Sequence, residues 1–275
     1  MAQTCYRHPG RETGVSCSSC GRPICPECMT PTPVGMRCPE CASQRTRVTR
    51  GTGPPSGFAG SPATYVLIAL NAVAFLAEIA AGGGGFVIPT ANSILQDFGL
   101  RGVSVADGEW YRIVSGGFLH AGLVHIAFNM FALYLIGRLL EPAIGTPRFV
   151  ALYFASLLAG AFGALALTDP GQVTVGASGA IFGIFGATFV IARGRGFNEI
   201  ASQLGILLAI NLALTFGIAN ISVGGHLGGL VGGLIGGLVI IAGERGRLGP
   251  NHLRVELLAM AAVGVLSVVG ALAVA

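Results

Sequence analysis

Gly224-Gly225-His226-Leu227-Gly228-Gly229-Leu230-Val231-Gly232-Gly233-Leu234-Ile235-Gly236-Gly237 holds a single polar side chain. Gly225, Gly229, Gly233 and Gly237 recur every four residues, and Gly224, Gly228, Gly232 and Gly236 form the adjacent row. In water each glycine inside a helix costs about 1 kcal/mol relative to alanine, so such a run would melt. In lipid the backbone must bond to itself, and a helix lets one segment do so. The double G-x-x-x-G ridge then strips one face of side chains and lets another backbone approach closely. The stretch is therefore expected to be a membrane helix. His226 sits at its head, where an imidazole at bilayer depth is costly unless partnered.

The whole chain fits that environment. It has 275 residues, 52% apolar and only 10% charged, with mean hydropathy +0.73. Soluble domains carry about 25% charged residues. The 44 glycines lie within apolar runs, which excludes collagen-like and polar low-complexity readings. The net charge is +4 and every basic residue is Arg. Seven Arg precede residue 51, but basic residues beside a first membrane span follow from topology alone, so no nucleic-acid partner is expected.

Residues 1–44 form a cysteine-rich head and 45–62 a Gly/Pro/Ser-rich flexible linker. Residues 63–245 form a membrane core, and 246–275 carry one further span. Apolar segments fall at 63–81, 118–140, 148–168, 177–193, 201–219, 224–242 and 254–274, each near the ~20 residues that cross a bilayer. Arg45, Arg47, Arg50, Arg138, Arg148, Arg193, Arg195, Arg245, Arg247 and Arg254 fall on one side, against Arg101 and Arg112 on the other. The positive-inside rule then places the head in the cytoplasm of a multi-pass protein of the cell (plasma or inner) membrane, with the 82–117 loop outside. No signal-type apolar core precedes the head. Trp110 and Tyr111 suit a bilayer interface, so the loop is expected to lie partly in the membrane.

Ser178, in Gly176-Ala177-Ser178-Gly179, heads another apolar segment. Alone it reads as a small packing residue. Both Ser178 and His226 follow outer-side breaks, so both are expected at one depth, where a serine beside a histidine is the minimal activated nucleophile. Gly179, Gly183 and Gly186 thin the Ser178 segment as the ridge thins the other. Glu78 is the only acid well inside a span, and nothing places it against His226. A dyad is expected, with packing rather than an acid orienting the imidazole and Phe182 offering a ring face. Acyl transfer also needs oxyanion donors. His125 and Asn129, four apart on one helix face, can supply them together with the Ser178 amide. A metal site at His120 and His125 is disfavoured by their five-residue spacing and the lack of a good third ligand.

Taken together, Trp110-Tyr111-Arg112, Phe118-Leu119-His120, His125 with Asn129, Glu141 with Gly145, Gly176-Ala177-Ser178-Gly179 and Gly225-His226 resemble, in content and order, the rhomboid intramembrane serine proteases over residues 63–245. The resemblance implies an all-α polytopic fold of six core helices, here with a seventh. It implies Ser178 as nucleophile, His226 as base, and oxyanion contacts from His125, Asn129 and the Ser178 amide. Arg112 and Glu141 match loop- and helix-stabilising positions. The implied reaction is hydrolysis of peptide bonds in or near transmembrane segments of substrates, without a cofactor. Many bacterial members carry Tyr at the position of Phe182, so a hydroxyl is lost while the ring face is kept. A silent rhomboid-like protein that retains membrane clients is the alternative, and both Ser178 and His226 speak against it. Either the 82–117 loop or the segment with Phe216 and Gly217 could gate substrate access.

In the head, Cys5-x2-His8, Cys17-x2-Cys20, Cys25-x2-Cys28 and Cys38-x2-Cys41 supply eight ligands, enough for two tetrahedral zinc ions. The seven Cys are an odd number and the expected compartment is reducing, which disfavours disulfides. The head resembles a B-box or similar cross-brace zinc finger. That arrangement would pair Cys5, His8, Cys25 and Cys28 at one ion and Cys17, Cys20, Cys38 and Cys41 at the other. Sequential pairing stays open. The ions would be structural, and binding of a cytoplasmic protein partner or regulation is the role expected of the head.

Overall fold

A computed structural model describes residues 3–32, 35–43, 60–83, 85–86, 92–218 and 221–275. Most of the expected linker, with Arg45, Arg47 and Arg50, lies outside the described residues. The chain divides into two units, Met1–Gly53 and Pro54–Ala275.

The first unit is small and almost without a hydrocarbon core. Strand β1 (Gln3–Thr4) pairs antiparallel with β2 (Glu12–Thr13), and β3 (Thr30–Thr32) with β4 (Gly35–Arg37). A 3-10 turn covers Pro26–Cys28 and helix α1 covers Pro39–Ser43. Its buried cluster is Ile24 plus six cysteines.

The second unit is helical: α2 (Pro62–Ala80), α3 (Ser93–Phe98), α4 (Gly102–Ala106), α5 (Arg112–Ser115), α6 (Leu123–Ile144), α7 (Thr146–Leu167), α8 (Ser178–Gly194), α9 (Asn198–Gly217), α10 (Val223–Glu244) and α11 (His252–Val274). Six of these are long and apolar enough to cross a membrane, and α8 is a shorter apolar helix, about 25 Å long at 1.5 Å per residue. Every expected span is a helix, and the protein is a multi-pass membrane protein. One start differs by more than a turn. The segment expected from 118 begins its helix at Leu123, because Gly122 has φ +135°, a conformation that an α-helix does not contain. His120 therefore lies in the turn before α6, not within it.

The glycine ridge of α10 serves two neighbours rather than one. A methyl at Gly229 or Gly233 would overlap the carbonyls of Gly179 or Gly183 on α8. A methyl at Gly224 or Gly228 would overlap those of Gly163 or Ala159 on α7. Helices α7, α8 and α10 are thus packed backbone on backbone. Even a methyl would force them apart.

A buried carboxylate joins α6 to the head of α2, and another ties the end of α2 to the turn before α6. Glu141 on α6 accepts from the N–H groups of Ala63 (3.0 Å) and Thr64 (2.8 Å) and from the Thr64 hydroxyl (2.7 Å). It also accepts from the Thr146 hydroxyl at 2.8 Å. Ser61, the N-cap residue, makes no side-chain cap bond, so Glu141 satisfies the open donors of α2 and complements its dipole. At the other end Glu78 on α2 accepts the His120 N–H at 3.0 Å. The seventh span, α11, is fixed to the core by Glu256, which is fully buried and paired with Arg148 of α7 and with His252.

Candidate active site

Ser178 is the first residue of α8 and is half-buried. His226 is the fourth residue of α10 and is buried. The start of α10 is set by Ser222, whose hydroxyl accepts the Gly225 N–H at 3.0 Å, a serine N-cap. Glycine packing then brings the two helix heads together, and His226 Nε2 lies 2.8 Å from Ser178 Oγ. Phe182, one turn beyond Ser178, stacks on the imidazole at 4.0 Å between centroids with an 18° interplanar angle.

The approach to Ser178 is built by the preceding segment. Leu100 and Thr174 exchange backbone bonds of 3.0 and 2.8 Å, and the Gly176 N–H donates to Gly116 O at 2.9 Å. Arg112, buried, holds the other side of this junction. Its Nη1 donates to Gln96 O at 2.6 Å and Gly99 O at 2.9 Å, while Nε pairs with Glu109. Gly176 has φ +129°, and a Cβ there would stand 2.9 Å from His125 Nε2 and 3.6 Å from Ser178 Oγ. A side chain at 176 would therefore sit between these two groups.

His125 Nδ1 accepts the Ala121 N–H at 3.3 Å. An accepting Nδ1 puts the proton of the neutral ring on Nε2, the nitrogen that faces Gly176. His125 thus presents a donor to the site. Asn129 is buried on the same helix face, and its amide nitrogen meets no acceptor among the described residues. His120 touches His125 edge to face at 5.1 Å, and neither belongs to a metal-capable cluster among the described residues.

One neighbour of the site was not read from the sequence. Thr215, on α9, places its Oγ1 2.7 Å from His226 Nδ1. The imidazole is therefore not held by packing alone. A threonine in an apolar helix ordinarily bonds back to its own carbonyls, so Leu214-Thr215-Phe216 carries no distinguishing signal.

In the first unit the eight expected ligands form two groups: Cys5, His8, Cys25 and Cys28, and Cys17, Cys20, Cys38 and Cys41. The ligand atoms of each lie within 4.8 Å of one another. His8 Nδ1 is 3.8, 3.3 and 3.5 Å from the sulfurs of Cys5, Cys25 and Cys28, and Cys20 and Cys38 sulfurs are 3.8 Å apart. Zn–S and Zn–N bonds of about 2.3 and 2.0 Å give tetrahedral edges of about 3.8 Å (S–S) and 3.5 Å (N–S). Backbone N–H groups also point at the sulfurs, from Cys38 to Cys17 (3.3 Å) and from Cys41 to Cys38 (3.4 Å). The Cys38 N–H chiefly draws the Cys17 thiol down to about 6, whereas burial pushes the Cys38 thiol up to about 12. A divalent cation would draw both of these thiols into the ionised form. Both groups could hold zinc.

The family model described as Rhomboid domain matches residues 107–243. YdcA of Bacillus subtilis (strain 168), a candidate rhomboid protease, is 34% identical over 173 residues, covering 60% of this chain and 82% of its own length. The chain belongs to the rhomboid family. It is also similar to the rhomboid protease GluP of Bacillus subtilis (strain 168), at 35% identity over 208 residues. That match covers 74% of this chain but only 39% of GluP. The Rhomboid-type serine protease 2 of Emericella nidulans is 34% identical over 129 residues, 44% of this chain and 25% of that protein. This rhomboid chain adds to the matched region an N-terminal cysteine unit and the helix α11 beyond residue 243.

Proposed function

We propose that this rhomboid is an active intramembrane serine endopeptidase that cleaves peptide bonds in or near the transmembrane segments of membrane proteins. The 2.8 Å contact between His226 Nε2 and Ser178 Oγ carries the reading. In the reaction His226 Nε2 takes the Ser178 proton as Oγ attacks the scissile carbonyl carbon. The oxyanion accepts from the Ser178 N–H, from His125 Nε2–H and from the Asn129 amide. The tetrahedral intermediate collapses as the imidazolium gives its proton to the leaving amine. Water, deprotonated by the same imidazole, then hydrolyses the acyl-enzyme. Arg112 and Glu141 support the loop and helix that frame the site, and Phe182 holds the ring plane. The half-buried Ser178 opens to water on the extracytoplasmic side, and the cysteine unit is cytoplasmic.

The cysteine unit is proposed to hold two structural zinc ions, each with four protein ligands. That leaves it a role in binding a cytoplasmic partner rather than in the hydrolysis. With Ile24 its only buried residue besides cysteine among the described residues, the unit draws its folding energy from the metal.

Cleavage of a reporter transmembrane substrate in liposomes by wild type, Ser178→Ala and His226→Ala tests the reading. Both variants are expected to lose at least about 10⁴-fold in rate. Equal cleavage by all three would refute it, and a wild-type chain that binds the reporter without cutting it would favour a client-retaining protein.

A further inference from the structure

We propose that Thr215 is a positioning residue for the hydrolysis, a hydroxyl on α9 that fixes the tautomer and direction of the His226 ring. The inference rests on the Ser178–His226 reading above and adds a third member to it. Thr215 Oγ1 lies 2.7 Å from His226 Nδ1 and 2.8 Å from Asn211 O. The hydroxyl has one proton and two candidate acceptors. If it donated to Nδ1, the Asn211 contact would be lost and the ring proton would sit on Nε2, facing Ser178. If it donates to Asn211 O, it can accept the Nδ1 proton, and both contacts are hydrogen bonds. Only the second arrangement leaves Nε2 bare to take the Ser178 proton. The back-bonded threonine thus selects the tautomer that works as a base.

The burial pattern of α9 supports a dedicated contact. Its apolar window is 17% buried, against 56% for α10. Its described buried residues are Ala201 and Leu204 near the start and Thr215 near the end. Leu214 and Phe216, on either side, are 50% and 65% exposed, whereas Thr215 is 2% exposed. The second half of the helix is therefore turned toward the core at this hydroxyl. A neutral hydroxyl cannot balance the imidazolium charge as a carboxylate would, so the effect is on orientation and is modest.

The test compares Thr215→Val, which keeps the shape and loses the hydroxyl, with Thr215→Ser, which keeps the hydroxyl and loses the methyl. The full-length chain in liposomes is assayed for kcat and KM on a transmembrane reporter, and for the labelling rate of Ser178 by a small fluorophosphonate. Thr215→Val is expected to lower kcat and labelling roughly tenfold, the worth of one neutral hydrogen bond, with little change in KM. Thr215→Ser is expected to stay near wild type in both. A packing role predicts the opposite order. Wild-type behaviour of Thr215→Val, or equal impairment of the two variants, would overturn the proposal. Cleavage that survives Ser178→Ala would instead remove the protease reading, and this assignment with it.

Discussion

Gly183 of α8 and Gly233 of α10 meet backbone to backbone, so that a methyl on Gly233 would overlap the Gly183 carbonyl. The contact lies five residues after Ser178 and seven after His226, about 7 and 10 Å along the two helices at 1.5 Å per residue. Two rods pinned together that near their ends cannot splay at the tips. The Ser178–His226 contact is thus a consequence of glycine spacing further along the same two helices.

Gly233→Ala is accordingly expected to destabilise the protein by about 1–3 kcal/mol or more, as overpacked cores do, and to lower the cleavage rate. Gly217→Ala, at a glycine with open space around it, is the control and should leave the detergent melting temperature unchanged. Thermal unfolding of the two variants in one detergent measures the contrast. Equal melting temperatures would contradict the packing described.

His125→Ala and Asn129→Ala each remove one proposed oxyanion donor. Each is expected to reduce kcat by roughly 10²–10³ with KM nearly constant, because the donors act on charge that exists only in the transition state. Steady-state kinetics on a reporter substrate checks this. A rise in KM at unchanged kcat would place the two residues in substrate binding instead.

Glu141→Ala should cost about 2–4 kcal/mol. It strips two backbone N–H groups and two hydroxyls of their buried acceptor, and orphaned buried donors are expensive. Chemical unfolding in detergent reads the loss, and stability within 0.5 kcal/mol or so of wild type would show that the α2 cap is dispensable.

Elemental analysis of the purified chain is expected to find two zinc ions per molecule, falling to one in Cys17→Ser, since three ligands remain at that site and the other is untouched. Chelation should unfold the first unit, seen as rapid proteolysis within residues 3–43. Unchanged zinc in Cys17→Ser would remove that residue from the ligand set.

The sequence made the costly features visible. An imidazole or a hydroxyl at bilayer depth must be explained, so Ser178 and His226 stood out. Paired cysteines at two-residue spacing admit few structures, and the two ligand groups follow the cross-brace arrangement. The spans were legible because lipid permits little besides a helix. Features that are cheap in sequence stayed hidden. Thr215 is ordinary in an apolar helix until its partner on another helix is known. The start of α6 depends on the φ of Gly122, which hydropathy does not register. The ridge of α10 read as one face because its two glycine rows are adjacent, yet they belong to different neighbours. The short helices α3 to α5 lie in the 82–117 loop, where Trp110, Tyr111 and Arg112 signalled an interface but no helix.

The reciprocal glutamates of α2 and α6 have a mechanical consequence. His125 and Asn129 ride on α6, which Glu141 ties to the head of α2 and whose leading turn Glu78 holds at His120. Ser178 and His226 ride on α8 and α10, which glycine cements to α7. Glu141 also bonds Thr146 at the head of α7, and one buried cluster runs through α2, α6, α7, α8 and α10, so the Ser178 hydroxyl and its proposed oxyanion partners share one frame and meet where the His125 ring faces Gly176. A side chain at position 176 would wedge that meeting apart without entering the shared core, so damage there is expected to register first as lost turnover and only later as lost stability.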